Sequence, residues 1–216
     1  MKISLVRNIL EANDRIAQQN RKIFKKNGLL VINLMSSPGA GKTSLLEKTI
    51  DALKNDLTIG VIEGDIQSSQ DAERVAKKGV TAVQINTDGA CHLDANMIRE
   101  TLESFNFKET DLLVVENVGK LVCPAEFNVG EDFKVMILSI TEGDDKPAKY
   151  PLMFHESKVL LINKIDLLPY VDCSLEKIKS DSLKINPELT IFEISCKTGE
   201  GLEAWYKWLR KSVTDV

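Results

Sequence analysis

The residues best suited to chemistry are Ser36-Ser37-Pro38-Gly39-Ala40-Gly41-Lys42-Thr43, which have the composition and spacing of a loop that wraps phosphate. Gly39 and Gly41 let the backbone curl until its N–H groups point inward, and a helix opening at Lys42 adds the positive end of its dipole. Lys42 is then placed to reach β- and γ-phosphates and the Thr43 hydroxyl to ligate Mg²⁺, with Ala40 and Ser44 completing the cradle. Ser36 stands where the pattern has its first glycine; a tight turn is needed there rather than a phosphate contact, so a small residue suffices.

A second group, Asn163-Lys164-Ile165-Asp166, directly follows an apolar run. A carboxylate at Asp166 can accept from guanine N1–H and the exocyclic amine together, whereas adenine would leave it unpaired. Asn163 is expected at the other edge of the base, the Lys164 stem along the ring, and Ser195-Cys196-Lys197 as a source of backbone N–H for the base oxygen. The Cys196 side chain is read as incidental. These motifs predict a GTP/GDP site.

Phosphoryl transfer needs charge neutralisation and an oriented water. Glu116, at the end of an apolar run, is expected to join Thr43 at Mg²⁺. Asp65, or alternatively Asp71, is expected to hold a magnesium-bound water or position the attacking one, although Asp71 also fits a plain helix cap. Gly119 is expected to hinge when a γ-phosphate is present. No arginine finger is evident, so slow intrinsic turnover is expected.

Cys91, His92 and Cys123 form a third candidate site. Loops that follow strand C-termini collect on one edge of a doubly wound sheet, which would bring the three together, and sulfur with imidazole suits Zn²⁺ or Ni²⁺. Three ligands do not close a tetrahedron, so water or a second chain would have to complete it. Spacing alone leaves buried, inert cysteines open as the ordinary alternative. His155 reads as a satisfied helix residue.

The elements that must position these groups alternate along the chain. Apolar runs at 29–35, 58–63, 81–85, 112–116, 134–140, 158–163 and 190–195 read as strands, with helices at 42–55, 69–78, 93–104, 174–184 and 201–211. Runs without polar alternation are buried on both faces, so the fold class is α/β, a doubly wound, mostly parallel sheet. Residues 1–27 read as a leading helix packed on the domain through Ile3, Val6, Ile9, Leu10 and Ile16, and residues 28–216 as a P-loop domain.

Of 216 residues, 43% are hydrophobic and 28% charged, ordinary for a globular chain, and a net charge of −4 argues against nucleic-acid or membrane-surface binding. With no apolar run of membrane-spanning length, no signal-peptide pattern and four scattered cysteines, the expected setting is the cytoplasm.

Together, SSPGAGKTSLLE, EGD followed by DAERV, NTDGACHLD, ENVGKLVCPAEF, TEGDDKPAKYP and NKIDLL resemble the HypB family, GTPases of hydrogenase nickel incorporation in the SIMIBI class. The resemblance runs from about residue 5 to the C-terminus. It implies GTP-driven homodimerisation, hydrolysis coupled to nickel delivery into the large subunit of [NiFe]-hydrogenase, and a HypA-type zinc protein as partner. It also implies that Cys91, His92 and Cys123 are a Ni/Zn site at the dimer interface, which reverses the reading from spacing. Two features of many members are missing: no cysteine precedes Cys91 and there are only two histidines, so nickel storage is not expected. The urease accessory GTPases are an alternative, but their Cys-Pro-His motif is met here by Cys123-Pro124-Ala125. A nucleotide-gated scaffold without significant hydrolysis is another.

Overall fold

A computed structural model describes residues 5–65 and 70–216. Among these, seven parallel strands form one sheet in the order β3-β2-β4-β1-β5-β6-β7. They are β1 (Leu30–Ser36), β2 (Ile59–Asp65), β3 (Thr81–Asn86), β4 (Leu112–Glu116), β5 (Phe133–Ser139), β6 (Ser157–Asn163) and β7 (Thr190–Glu193). The helices are α1 (Leu5–Lys26), α2 (Lys42–Leu53), α3 (Gln70–Ala76), α4 (Ala95–Thr101), α5 (Cys123–Glu126), α6 (Lys146–Lys149), α7 (Pro151–His155), α8 (Leu175–Ile185) and α9 (Leu202–Thr214).

The central strands are buried along almost their whole length, as unbroken Val/Ile/Leu runs require when helices cover both faces. On one face Leu45 and Ile50 of α2 and Trp205 and Leu209 of α9 pack on β1, β5 and β6. On the other, Phe24 of α1 and Ile98 of α4 cover β2 and β4, while Phe154 of α7 and Ile178 of α8 cover β5 and β6. The doubly wound class expected from the sequence is the class observed. No helix of the described residues is long and apolar enough to cross a membrane.

Three local expectations are corrected. The helix expected from residue 93 starts at Ala95, because the Asp94 side chain caps it by accepting from Met97 N–H at 2.8 Å. Strand β7 ends at Glu193, since Ser195 N–H turns to bond Glu200 O at 2.9 Å. On α1, Leu10 is 36% exposed and Ile16 only half-buried, while Asn13, Ala17, Asn20 and Phe24 point inward; the side chains of Val6 and Ile9 are outside the described residues. Asn20 donates to Ala95 O and Val129 O, and Asn13 donates to Asn128 O and accepts from Ala95 N–H, so amide ladders seat this helix. Ile3 and Ser69 lie outside the described residues.

Candidate functional site

The C-terminal ends of β1, β2, β4 and β6 meet at one edge, and two clefts open there, of about 510 and 300 Å³. Gly41 and Ser44 line both, so the loop 36–43 runs between them. The larger is lined by Lys42, Thr43, Glu63, Asp65, Asp71 and Glu116; the smaller by Asn163, Lys164, Asp166, Cys196 and Lys197. The two sets of residues singled out from the sequence therefore occupy adjoining clefts.

The smaller cleft is held by hydrogen bonds to the loop beside it. Asn163 Nδ2 donates to Ala40 O at 2.9 Å, and Lys164 Nζ to Gly39 O at 2.7 Å. Ser195 Oγ donates to Asp166 Oδ1 at 2.6 Å, fixing the carboxylate. Cys196 N–H, expected to face a base, donates instead to Asn163 Oδ1 at 3.1 Å. Burial pushes the Cys196 thiol up to about 11, which keeps it protonated and unreactive.

In the larger cleft, Lys42 Nζ donates to Ser36 Oγ at 3.0 Å, so the serine in place of the first glycine holds the lysine. Thr43 Oγ1 donates to Glu116 Oε1 at 3.1 Å. The sequence reading placed Glu63 at an acidic strand end but gave it no role; the β2–β4 register sets it directly beside Glu116. Both carboxyls are buried, and Glu63 Oε1 and Glu116 Oε2 lack partners. Burial, compounded by Glu116, pushes Glu63 up to about 10; burial also raises Glu116, against the pull of Lys42. Burial thus favours a protonated Glu63 as long as no cation balances the charge of the pair. A hydroxyl and orphaned carboxylate oxygens are hard ligands of the kind Mg²⁺ takes, so these residues fit the metal implied by the loop.

Of the two candidates for handling water, Asp71 is engaged by Arg74 Nη1 at 3.0 Å, while Asp65 ends β2 at the cleft wall. Arg74 was not singled out from the sequence; it lines the same cleft and is also held by Glu47 at 2.6 Å. Gly119 lies against the phosphate loop so closely that a Cβ there would sit 3.2 Å from Pro38 Cα and 3.4 Å from Lys42 Nζ.

Beyond Gly119 the chain reaches Cys123, the first residue of α5. Its thiol, Cys91 Sγ and a His92 ring nitrogen lie within 4.8 Å of one another, all half-buried, as the edge argument predicts. Cys91 Sγ is 3.4 Å from His92 Nδ1. The hydrogen bond with Cys91, then burial, raises the Cys123 thiol, whereas burial holds His92 below its usual value and keeps a ring lone pair available. Phe127 stacks on the His92 ring at 3.8 Å and fixes its orientation, a contact with no signal in sequence spacing. Two thiols and an imidazole form a soft donor set. His155 stands elsewhere, at the end of α7, paired with Glu156 at 2.9 Å.

Residues 30–193 match the model of the CobW/HypB/UreG nucleotide-binding domain. The hydrogenase maturation factor HypB of Rhizobium leguminosarum is 48% identical over 210 residues, covering 97% of this chain and 70% of that protein. The chain belongs to the HypB family. Among solved structures, HypB from Helicobacter pylori in complex with nickel superposes with a TM-score of 0.89 at 39% identity, covering 94% of this chain and 96% of that one. The signal recognition particle receptor FtsY from Elizabethkingia anophelis, 15% identical with a TM-score of 0.57 over 89% of this chain and 68% of that one, shares the fold alone. As a HypB-family member the chain is a P-loop nucleotide-binding protein of hydrogenase maturation.

Proposed function

We propose that the protein is a cytoplasmic GTP hydrolase that carries nickel to the large subunit of [NiFe]-hydrogenase, and that it acts as a homodimer whose assembly depends on GTP and nickel. A HypA-type nickel/zinc chaperone is the expected partner. The observation that carries this reading is the single run from Glu116 to Cys123, which begins beside Thr43 in the phosphate cleft and ends in the thiol–imidazole cluster. Nickel is the cargo, held by Cys91, His92 and Cys123, and the incomplete ligand set of one protomer leaves room for a second copy to close it.

Thr43 and Glu116, with Asp65, would hold Mg²⁺, which supplies charge neutralisation to the phosphate oxygens when bound. Lys42 and the backbone N–H groups of residues 39–44 bind the β- and γ-phosphates, and Asp65 or Asp71 orients the attacking water. Asn163, Lys164 and Asp166 read the base, with Ser195 setting the carboxylate and Lys197 at the cleft wall. Specificity for guanine comes from the buried bond that adenine cannot complete.

The test is light scattering with GDP and with a non-hydrolysable GTP analogue, each with and without Ni²⁺, alongside phosphate release. A dimer that needs both analogue and nickel, together with release of phosphate from GTP, is the expected result. A monomer under all four conditions would sink the gated-carrier reading, and GTP binding without any phosphate release would favour the scaffold.

A further inference from the structure

The two halves of the thiol–imidazole cluster hang on different loops. Cys123 is tied through the chain to Gly119, four residues before it. Cys91 and His92 belong to the loop between β3 and α4, far away in sequence. Their nearest anchor is the next residue, Leu93, whose N–H donates to Asn117 Oδ1 at 3.0 Å. The same oxygen accepts from Val118 N–H at 2.9 Å, and Asn117 Nδ2 donates to Asn33 Oδ1 of β1 at 3.1 Å. Asn117 is fully buried, and it stands between Glu116 in the phosphate cleft and Gly119 against the phosphate loop.

Leu93 is wedged as well as bonded. Its side chain occupies the space over Gly64, where a Cβ would lie 2.7 Å from Leu93 Cγ, at the end of β2 between Glu63 and Asp65. One amide therefore joins the phosphate-facing loop, the strand that leads into the phosphate loop, and the loop that presents Cys91 and His92. A buried amide with both ends engaged is costly to pull apart, so loops bonded to it move together.

We propose that Asn117 is a positioning residue that keeps Cys91 and His92 in register with the loop facing the nucleotide phosphates, so that nickel affinity follows nucleotide state. Displacing Val118 and Gly119 carries Cys123 along the backbone and Cys91 and His92 through the Asn117–Leu93 bond. Without that bond only one half of the cluster follows. The inference rests on the nickel-carrier reading above, but it assigns to Asn117 a role separable from nickel binding itself.

The test is nickel affinity, with Ni²⁺ alone as probe, measured in the GDP state and with a non-hydrolysable GTP analogue. Wild type, Asn117→Ala and Asn33→Ala are compared. Asn33→Ala removes the other partner of the amide yet leaves the Leu93 bond in place, so it controls for general loosening of the network. A wild-type ratio between the two states of about fivefold or more is expected. Asn117→Ala should bring that ratio within about twofold of unity, while Asn33→Ala retains most of it. A wild-type ratio of one would defeat the gated-carrier reading, and this inference with it. A wild-type ratio preserved in Asn117→Ala, or lost equally in Asn33→Ala, would overturn the role of Asn117 alone. Should Asn117→Ala fail to fold, hydrogen exchange at the Leu93 amide of the wild-type protein decides. Protection in both nucleotide states supports the link, and loop-like exchange in either overturns it.

Discussion

The two clefts are built on opposite principles. In the base-side cleft the polar groups answer one another: Asn163 to Ala40 and Cys196, Lys164 to Gly39, Ser195 to Asp166. In the phosphate-side cleft, buried oxygens of Glu63 and Glu116 have no partner, and the two carboxyls stand side by side. A satisfied network holds its shape before a ligand arrives, so binding there costs little reorganisation and can be selective. Unsatisfied buried groups cost stability until something completes them, which makes the second cleft the place where ligand binding has leverage. The thiol–imidazole cluster is attached to that unfinished side.

Breaking the finished side should have the largest effect. Asp166→Asn keeps the shape but loses the carboxylate's paired bonds to guanine, so GTP affinity is expected to fall on the order of a hundredfold. Xanthosine triphosphate, which carries an oxygen where guanine has its amine, should gain against GTP. Competition binding with the two nucleotides measures this. Unchanged preference would mean that Asp166 does not face the base. Without nucleotide, nickel affinity should be untouched by this change, since Asp166 lines the base-side cleft and is bonded there to Ser195.

The strands were legible in the sequence because a sheet covered on both faces leaves unbroken aliphatic runs, and β1, β4 and β6 carry them. The phosphate and base loops were legible because each follows such a run at fixed spacing. What stayed hidden depends on register or on contacts across the chain. Glu63 meets Glu116 only because β2 and β4 pair with those residues opposite one another, and nothing local to either strand reports that alignment. Asn13 and Asn20 bind carbonyls of Asn128, Val129 and Ala95 and the Ala95 amide, partners that only the tertiary fold supplies, so apolar periodicity did not mark them as inward-facing. Phe127 on His92 is likewise a product of where α5 ends.

Phe127 allows a sharper cut between the clefts and the cluster. Phe127→Ala removes the ring that orients His92 while sparing every residue named for nucleotide binding. Supporting residues of this kind are typically worth about tenfold in metal affinity. Nickel titration of Phe127→Ala should show a loss of that size, with GDP affinity unchanged. A parallel loss of GDP affinity would mean that the two sites share structure more widely than the loop 116–123.

A measurement of stability rather than affinity tests the idea that the phosphate side is unfinished. Glu63 is pushed up to about 10 from an ordinary 4.5, chiefly by burial and then by Glu116. The folded protein therefore holds a proton that the unfolded chain releases above pH 4.5. That contribution to stability is complete below the unfolded value and is lost steadily as pH rises toward 10. Glu63→Gln keeps the size and a donor toward Glu116 but has nothing to titrate. In EDTA and without nucleotide, the variant should be more stable than wild type at pH 8 by on the order of 1–3 kcal/mol, with a flatter fall between pH 6 and 8. Urea unfolding at the two pH values measures both. Adding Mg²⁺ and GDP should stabilise wild type more than Glu63→Gln, because the cation takes the place of the proton on Glu63. Equal slopes with pH would show that the pair is not strained by burial, and the contrast between a finished and an unfinished cleft would lose its energetic basis.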